Sequence, residues 1–114
     1  MPKDDLVYVA HMLEKAREAI DLSKSKSRSD FDRDQPLRLA ITFLLQLIGQ
    51  TAQHVSPGFR LLHREVPWDA LMAMRHKIVH DYLDVDEEMV WKTVTDELAP
   101  VRATLKKLVP WESR

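Results

Sequence analysis

The sequence predicts an all-α protein, an up-and-down four-helix bundle with an additional short helix. Glycine is scarce: the 114 residues include only Gly49 and Gly58, whereas an all-β domain needs many tight turns that favour glycine. Apolar residues recur every three or four positions, which is the spacing of a buried helical stripe. With 45% hydrophobic and 31% charged residues, the chain can form one core under a charged surface. We expect a single domain over residues 1–114.

The first helix is predicted from about Asp4 to Leu22. Its apolar residues form one stripe, Leu6, Val9, Ala10, Leu13, Ala16 and Ile20. The segment SKSKSRS follows from Ser23 to Ser29, and its small hydroxyl residues compete with a helical backbone for hydrogen bonds. We predict a solvated loop there, although its basic side chains Lys24, Lys26 and Arg28 could also contact phosphates.

The second helix is predicted around Pro36 to His54, and apolar residues cover nearly its whole circumference. A helix that is apolar all round must be covered on more than one side. We expect one face to pack in the core and another in a symmetric homodimer, the commonest assembly. The alternative is a central helix wrapped by its own chain.

The remaining elements follow from proline and cap signals. Ser56 to Arg60 reads as a turn followed by one short helical turn, and Pro67 suits the first position of the next helix, PWDALMAMRHKIVHDY. Asp86 is the predicted N-cap of the last helix. That helix should be interrupted at Pro100. Its predicted seam is Trp91, Val94, Leu98, Val101, Leu105 and Leu108.

Composition excludes several classes of protein. The chain has no cysteine, so disulfides and thiolate chemistry are excluded. The N-terminus carries acids and lacks the apolar run of a signal peptide. The longest apolar stretch, Leu39 to Ile48, is too short to span a bilayer. A cytoplasmic protein without a membrane segment is expected.

Charge is distributed unevenly along the chain. The net charge is −1, so the molecule as a whole is not a general polyanion binder. The segment from His54 to His80 is basic and rich in histidine, whereas the segment from Asp81 to Pro100 is strongly acidic. These blocks could serve an anionic ligand and a basic partner, or be solvated surface only.

The segment RHKIVHDY, Arg75 to Tyr82, is the candidate functional site. The predicted buried stripe of its helix is Trp68, Leu71, Met72, Arg75, Ile78, Val79 and Tyr82. Arg75 thus occupies an apolar position, where an unpaired guanidinium costs desolvation energy. Either Arg75 has a functional role or it forms a structural ion pair with a nearby acid.

Helical spacing leaves the geometry of this site open. Tyr82 follows Arg75 by seven residues and falls on nearly the same face, but His80 follows it by five, about 140° round an ideal helix. Arg75 and His80 converge only if Arg75 reaches along the surface, if the helix loosens near Asp81, or if a second chain supplies one of them.

The residue types suit chemistry on a phosphodiester. Imidazole can move the proton of a ribose 2′-hydroxyl or of the leaving oxygen, and guanidinium can hold phosphate oxygens. No metal or cofactor is required, and RNA suits this chemistry better than DNA. His76 and His80, four residues apart, could instead ligate a metal, but a third ligand is lacking. We interpret the other histidines, His11, His54 and His63, as surface or satisfied polar residues.

The pattern Arg-x-x-x-x-His-x-Tyr, present as Arg75, His80 and Tyr82, resembles the signature of the HepT-like branch of the HEPN superfamily. The flanking segments LLQLIGQTAQHVSP, VPWDALMAMRHKIVHDY and DVDEEMVWKTVTDELAP resemble its second, third and final helices. The resemblance extends from Leu6 to about Leu108. One departure is Gly49-Gln50, where that branch usually has Gly-Glu. If that Glu braces the motif Arg, Gln50 would brace Arg75 less well.

The resemblance implies the HEPN fold and a homodimer whose two motifs face one cleft, forming a metal-independent endoribonuclease site. Arg75 and His80 would be catalytic and Tyr82 supporting, with His76, Lys77 and Asp81 as secondary candidates. The resemblance also implies a toxin of a HEPN/MNT toxin–antitoxin pair, acting on RNA. Its antitoxin, a minimal nucleotidyltransferase (MNT), would silence it by AMPylation of Tyr82.

Two other interpretations remain open. A non-catalytic HEPN protein would bind a nucleotidyltransferase partner or a nucleotide, with the acidic segment 81–100 as its docking surface. A purely structural helical dimer would have no ligand chemistry. The complete set of Arg75, His80 and Tyr82 favours the ribonuclease.

Overall fold

Helices account for nearly all of the fold, and this confirms the predicted all-α class. The computed structural model describes residues 3–112, which contain no strand. The α-helices are α1 (Lys3–Ser23), α2 (Arg28–Arg33), α3 (Gln35–His54), α4 (Pro57–Leu62), α5 (Trp68–His80), α6 (Glu87–Lys92) and α7 (Leu98–Leu108). A π-helical segment, Thr93–Glu97, joins α6 to α7, and a 3₁₀ helix, Pro110–Glu112, follows α7.

Helix α1 matches its prediction to within one residue at each end. Its core side chains are fully or almost fully buried: Val9, Met12, Leu13, Ala16 and Ala19. Near its start, the buried Asp5 carboxylate accepts hydrogen bonds from the backbone N–H and the hydroxyl of Ser56, at 2.8 and 2.7 Å. Because Ser56 also caps α4, these bonds attach α4 to the start of α1.

The predicted loop from Ser23 to Ser29 is wrong in its second half, where α2 begins. Ser27 and Asp30 form a reciprocal capping box: the Ser27 hydroxyl accepts from the Asp30 N–H at 3.1 Å, and the Asp30 carboxylate accepts from the Ser27 N–H at 2.8 Å. These bonds lower the pKa of Asp30. Phe31 is fully buried and packs 5.0 Å from the Trp91 ring. The capping box and this buried ring together stabilise α2.

Helix α3 has two distinct apolar sides. One side enters the core through Leu37, Ile41, Leu45, Ile48 and Ala52. The other leaves Leu39 and Phe43 62% and 55% exposed. A helix wrapped on all sides by its own chain is therefore not what the structure shows. The homodimer stays a prediction.

The last helical segment begins at the predicted cap and is interrupted near Pro100, as predicted. Asp86 caps α6 by accepting from the Met89 N–H at 3.0 Å, and this bond together with the Lys77 ammonium lowers the pKa of Asp86. The predicted interruption is the π-helical segment, which ends just before the turn that contains Pro100. Proline lacks an N–H and its ring collides with the carbonyl four residues earlier, so the preceding turn widens.

The long helices pack in a row: α5 contacts α3, α3 contacts α1, and α1 contacts α7. An ion pair of 2.7 Å between Arg17 and Glu112 holds the 3₁₀ helix against α1 and lowers the pKa of Glu112. Helices α5 and α7 stand at opposite ends of this order. They border an apolar groove of about 680 Å³, so one side of the bundle is open.

None of the helices between residues 3 and 112 is long and apolar enough to cross a membrane. The cytoplasmic location stays a prediction.

Candidate active site

Helix α5 carries most of the motif and is held in place by its apolar side. Trp68, Leu71, Met74 and Ile78 are buried, and the Trp68 indole N–H donates to the His63 carbonyl at 2.9 Å. The sequence-based stripe omitted Met74 and included Tyr82, and both choices were wrong. The partly buried Arg75 lies at the edge of this buried side.

Tyr82 lies beyond the helix, in a turn formed by residues 81–84, which we call the motif turn. Helix α5 ends at His80, and the Asp84 N–H donates to the Asp81 carbonyl at 2.8 Å, which closes the turn. Its two central side chains, Tyr82 and Leu83, are 72% and 87% exposed. The prediction that Tyr82 shares a buried helical face with Arg75 is therefore wrong, because the helix does not extend that far.

Arg75 is positioned by an unusually close approach of α3 to α5. A Cβ atom on Gly49 would lie 2.4 Å from the Arg75 Cβ and 2.5 Å from the Leu71 carbonyl oxygen. Only glycine fits at this crossing. A glycine in the interior of an apolar helix costs about 1 kcal/mol relative to alanine, so its presence in the sequence was a usable signal of close packing.

The Arg75 guanidinium has no partner that would explain its burial. Its Nε atom is buried without a hydrogen bond, and no carboxylate of residues 3–112 forms an ion pair with it. The alternative of a structural ion pair is therefore not supported. Gln50 is exposed, and neither it nor any other described residue forms a hydrogen bond with the buried Nε of the Arg75 side chain.

His80 is the last residue of α5 and is exposed. Its Nδ1 lies 3.0 Å from the His76 carbonyl oxygen, and the two imidazole rings stack at 3.8 Å. A carbonyl oxygen only accepts hydrogen bonds, so Nδ1 carries the proton in this contact. In the neutral ring the Nε2 lone pair is then free, as a general base requires.

Within one chain, the three motif side chains are not joined by hydrogen bonds. Helix α5 stays regular through His80 and ends before Asp81, so the possibility that a loosened helix rotates His80 toward Arg75 is not supported. In the described part of the chain no hydrogen bond joins Arg75, His80 or Tyr82 to one another. Two of the three routes to convergence remain: Arg75 reaches along the surface, or a second chain contributes.

An apolar surface adjoins the motif turn. It encloses a shallow cavity of about 660 Å³ lined by Leu39, Thr42, Phe43, Gln46, Ile78, Val79, Tyr82 and Val85. We call Leu39, Phe43 and Val79 the apolar patch. Tyr82 lines this cavity and also a second cavity, of about 400 Å³, formed by residues 80–84. A partner that fills the cavity beside the apolar patch would therefore also contact Tyr82.

The secondary candidates have separate surroundings. Lys77 lies 3.6 Å from the Asp86 carboxylate and so contacts the cap of α6. Asp81 is the exposed C-cap of α5. His76 stacks on His80, but within residues 3–112 no group of three or more His, Cys, Asp or Glu side chains could hold a metal ion.

The other histidines fit the interpretation as surface or satisfied polar residues. His11 is exposed, the exposed His54 packs 5.5 Å from the Tyr8 ring, and His63 lies 3.6 Å from Glu65.

Fold and site together define an all-α protein of the HEPN class that carries an Arg-x-x-x-x-His-x-Tyr motif at the end of one helix. The family model described as ribonuclease HepT-like matches residues 12–108. The chain therefore belongs to the ribonuclease HepT-like family, and the predicted enzyme class is confirmed at the level of that family.

Individual relatives agree with this assignment. The chain is 33% identical over 100 residues to a Thermococcus cleftensis protein provisionally named ribonuclease HepT, covering 84% of this chain and 91% of that protein. It is 30% identical over 105 residues to a provisionally named RNase of Caldanaerobacter subterraneus subsp. tengcongensis, covering 92% and 94%. A provisionally named RNase of Methanocaldococcus jannaschii is 24% identical over 100 residues, covering 88% and 92%. No solved structure matches the chain.

Proposed function

We propose that this chain, acting as one HEPN domain over residues 1–114, is a metal-independent endoribonuclease. The observation that carries the proposal is the contact between His80 Nδ1 and the His76 carbonyl, because it leaves an exposed Nε2 as the base. The unpaired Arg75 guanidinium supplies the complementary positive charge. Membership of a ribonuclease family supports the same assignment.

In the proposed reaction, Nε2 of His80 takes the proton of a ribose 2′-hydroxyl. The 2′-oxygen then attacks the adjacent phosphorus, and the bond from phosphorus to the 5′-oxygen breaks. The products are a 2′,3′-cyclic phosphate and a 5′-hydroxyl, whose proton comes from a second protonated imidazole or from water. Arg75 would bind the phosphate oxygens and stabilise the charge that grows on them.

Replacing Arg75 with methionine tests this role without damaging the fold. A methionine side chain would keep an apolar stem against Gly49 and remove a buried, unpaired donor, so no loss of thermal stability is expected. Loss of the charged donor should lower the rate of RNA cleavage by about 10²–10³-fold. The assay measures cleavage by both proteins in EDTA. Normal cleavage by Arg75→Met, or complete loss of wild-type cleavage in EDTA, would contradict the proposal.

In a homodimer, Arg75 of one chain could lie beside His80 of the other, which is one of the two routes by which these residues can meet. The apolar patch supports this, since Leu39 and Phe43 are exposed beside the motif turn. Light scattering should give about twice the chain mass of 13.3 kDa at micromolar concentration, and Phe43→Ser should shift the mass toward the monomer. Val7→Ser is a matched control, because Val7 is 57% exposed on α1. A monomeric wild-type protein would contradict the dimer.

The toxin role, the nucleotidyltransferase antitoxin and AMPylation of Tyr82 form the regulatory part of the proposal. Tyr82 is the more accessible tyrosine: it is 72% exposed on the motif turn, whereas Tyr8 is partly buried beside His54. The Tyr82 phenol oxygen would attack the α-phosphorus of ATP, and pyrophosphate would leave.

Intact mass measurement after incubation with the partner enzyme and ATP tests this acceptor. Wild-type protein and Tyr8→Phe should each gain AMP, and Tyr82→Phe should gain none. AMP on the Tyr82→Phe protein would show that another group is the acceptor.

A further inference from the structure

Arg60 resembles the motif arginine in its surroundings. Its guanidinium crosses from α4 to α5, where Nη1 lies 3.2 Å from the Met72 sulfur, which is only a weak acceptor. Its Nε is buried and unpaired, and the Arg75 Nε is the one other such side-chain atom found in residues 3–112. A buried donor without a partner needs a specific explanation, such as a ligand that accepts from it.

Arg64 adds a second cation beside Arg60. Both line a cavity of about 810 Å³ between α4 and the start of α5. Within residues 3–112 neither forms an ion pair, in contrast to Arg17, Arg28, Arg33 and Arg38. The adjacent Glu65 lies 3.6 Å from His63. Asp69 also lines the cavity, so two guanidiniums face one carboxylate.

The Arg60 side chain reaches α5 on the N-terminal side of the motif. Met72, which Arg60 contacts, precedes Arg75 by three residues and His80 by eight, distances of about 4.5 and 12 Å along a helix axis. Successive phosphates of one strand are about 3.4 Å apart along a duplex axis and farther apart in an extended single strand. A strand bound at His80 and Arg75 therefore needs only a few more nucleotides to reach Arg60.

We propose that Arg60 and Arg64 form a second phosphate-binding site, which holds the RNA backbone a few nucleotides from the scissile bond. This inference rests on the proposed ribonuclease function. Guanidinium forks match phosphate oxygens in a bidentate geometry. Phosphates carry no sequence information, so the site contributes affinity and register without selecting bases.

The test measures RNA binding in a His80→Ala background, where cleavage should be slow enough for the complex to reach equilibrium. Arg60→Gln and Arg64→Gln should each weaken binding of a decaribonucleotide by about 10-fold. The logarithm of the association constant falls linearly with the logarithm of the salt concentration, and this dependence should become less steep by about 0.7 for each lost phosphate contact. With His80 intact, kcat/KM for a dinucleoside monophosphate, which has only the scissile phosphate, should not change.

Two further substitutions sharpen the test. Arg102→Gln removes an arginine of α7 that forms no ion pair among the described residues, and it should leave decaribonucleotide binding unchanged. Asp69→Asn removes the opposing carboxylate of the cavity, so it should strengthen binding. If Arg60→Gln fails to fold, the exposed Arg64 decides the result.

The outcomes separate this inference from the proposed function. Unchanged decaribonucleotide affinity and salt slope in both arginine variants, with cleavage still dependent on His80, would overturn the second site alone. If Arg60→Gln lowered kcat/KM equally on the dinucleoside monophosphate, Arg60 would act at the scissile phosphate, and the second site would be overturned. If inorganic phosphate displaced the RNA at a concentration similar to that of the RNA, the two arginines would form a site for free anions, and the second RNA site would be overturned. Failure of every protein to bind or cut RNA would overturn both proposals.

Discussion

Replacing His80 with alanine is expected to reduce RNA cleavage by about 10²–10⁴-fold, the usual contribution of a general acid or base. The exposed ring donates through Nδ1 to the His76 carbonyl, and alanine removes the free Nε2. The exposed position of His80 predicts that folding is unaffected. The assay compares cleavage of one RNA by the two purified proteins in EDTA.

His11→Ala is the matched control for this substitution. His11 is an exposed histidine on α1, and its loss should leave the cleavage rate unchanged. Wild-type activity in His80→Ala would mean that another group is the base. If neither protein cuts RNA and the intact mass shows no AMP on Tyr82, the non-catalytic interpretation moves ahead.

Replacing Gly49 with alanine is expected to destabilise the protein by about 1–3 kcal/mol or more. The new methyl group would lie 2.4 Å from the Arg75 Cβ and 2.5 Å from the Leu71 carbonyl. The carbonyl belongs to the backbone, so α3 and α5 must move apart to relieve the contact. Cleavage should fall as well, because Arg75 moves with α5. Urea unfolding and the cleavage assay measure the two effects.

Gly58→Ala gives the opposite expectation in the same chain. A Cβ atom on Gly58 meets nothing within 4 Å, and Gly58 lies in α4 with a negative φ. Alanine there should stabilise the protein by up to about 1 kcal/mol, since it restricts the unfolded chain. Equal stability of the two variants would show that the close approach of α3 to α5 is not rigid.

Much of the fold was predictable because it depends on local spacing. The apolar stripe of α1, the Asp86 cap and the interruption near Pro100 all depend on residues within a turn or two of one another. The HEPN motif was readable for the same reason, since Arg75, His80 and Tyr82 are close in sequence.

Other features could not be predicted from spacing. Helix α2 depends on Phe31 packing against Trp91, sixty residues away, so a polar serine-rich segment was taken for a loop. The exposure of Tyr82 depends on where α5 ends. Caps, turns and tertiary contacts together decide where a helix ends, and a periodic apolar pattern alone does not show this.

By itself the sequence determined the helical class, the order and approximate bounds of the long helices, and the identity of the motif residues. Only the tertiary structure decided how those residues are positioned, buried and paired. Gly49 sets the position of Arg75, and Met72 brings Arg60 onto α5. The reason is physical: periodicity records which side of a helix is apolar, whereas burial, pairing and orientation of a side chain are set by atoms from distant parts of the chain.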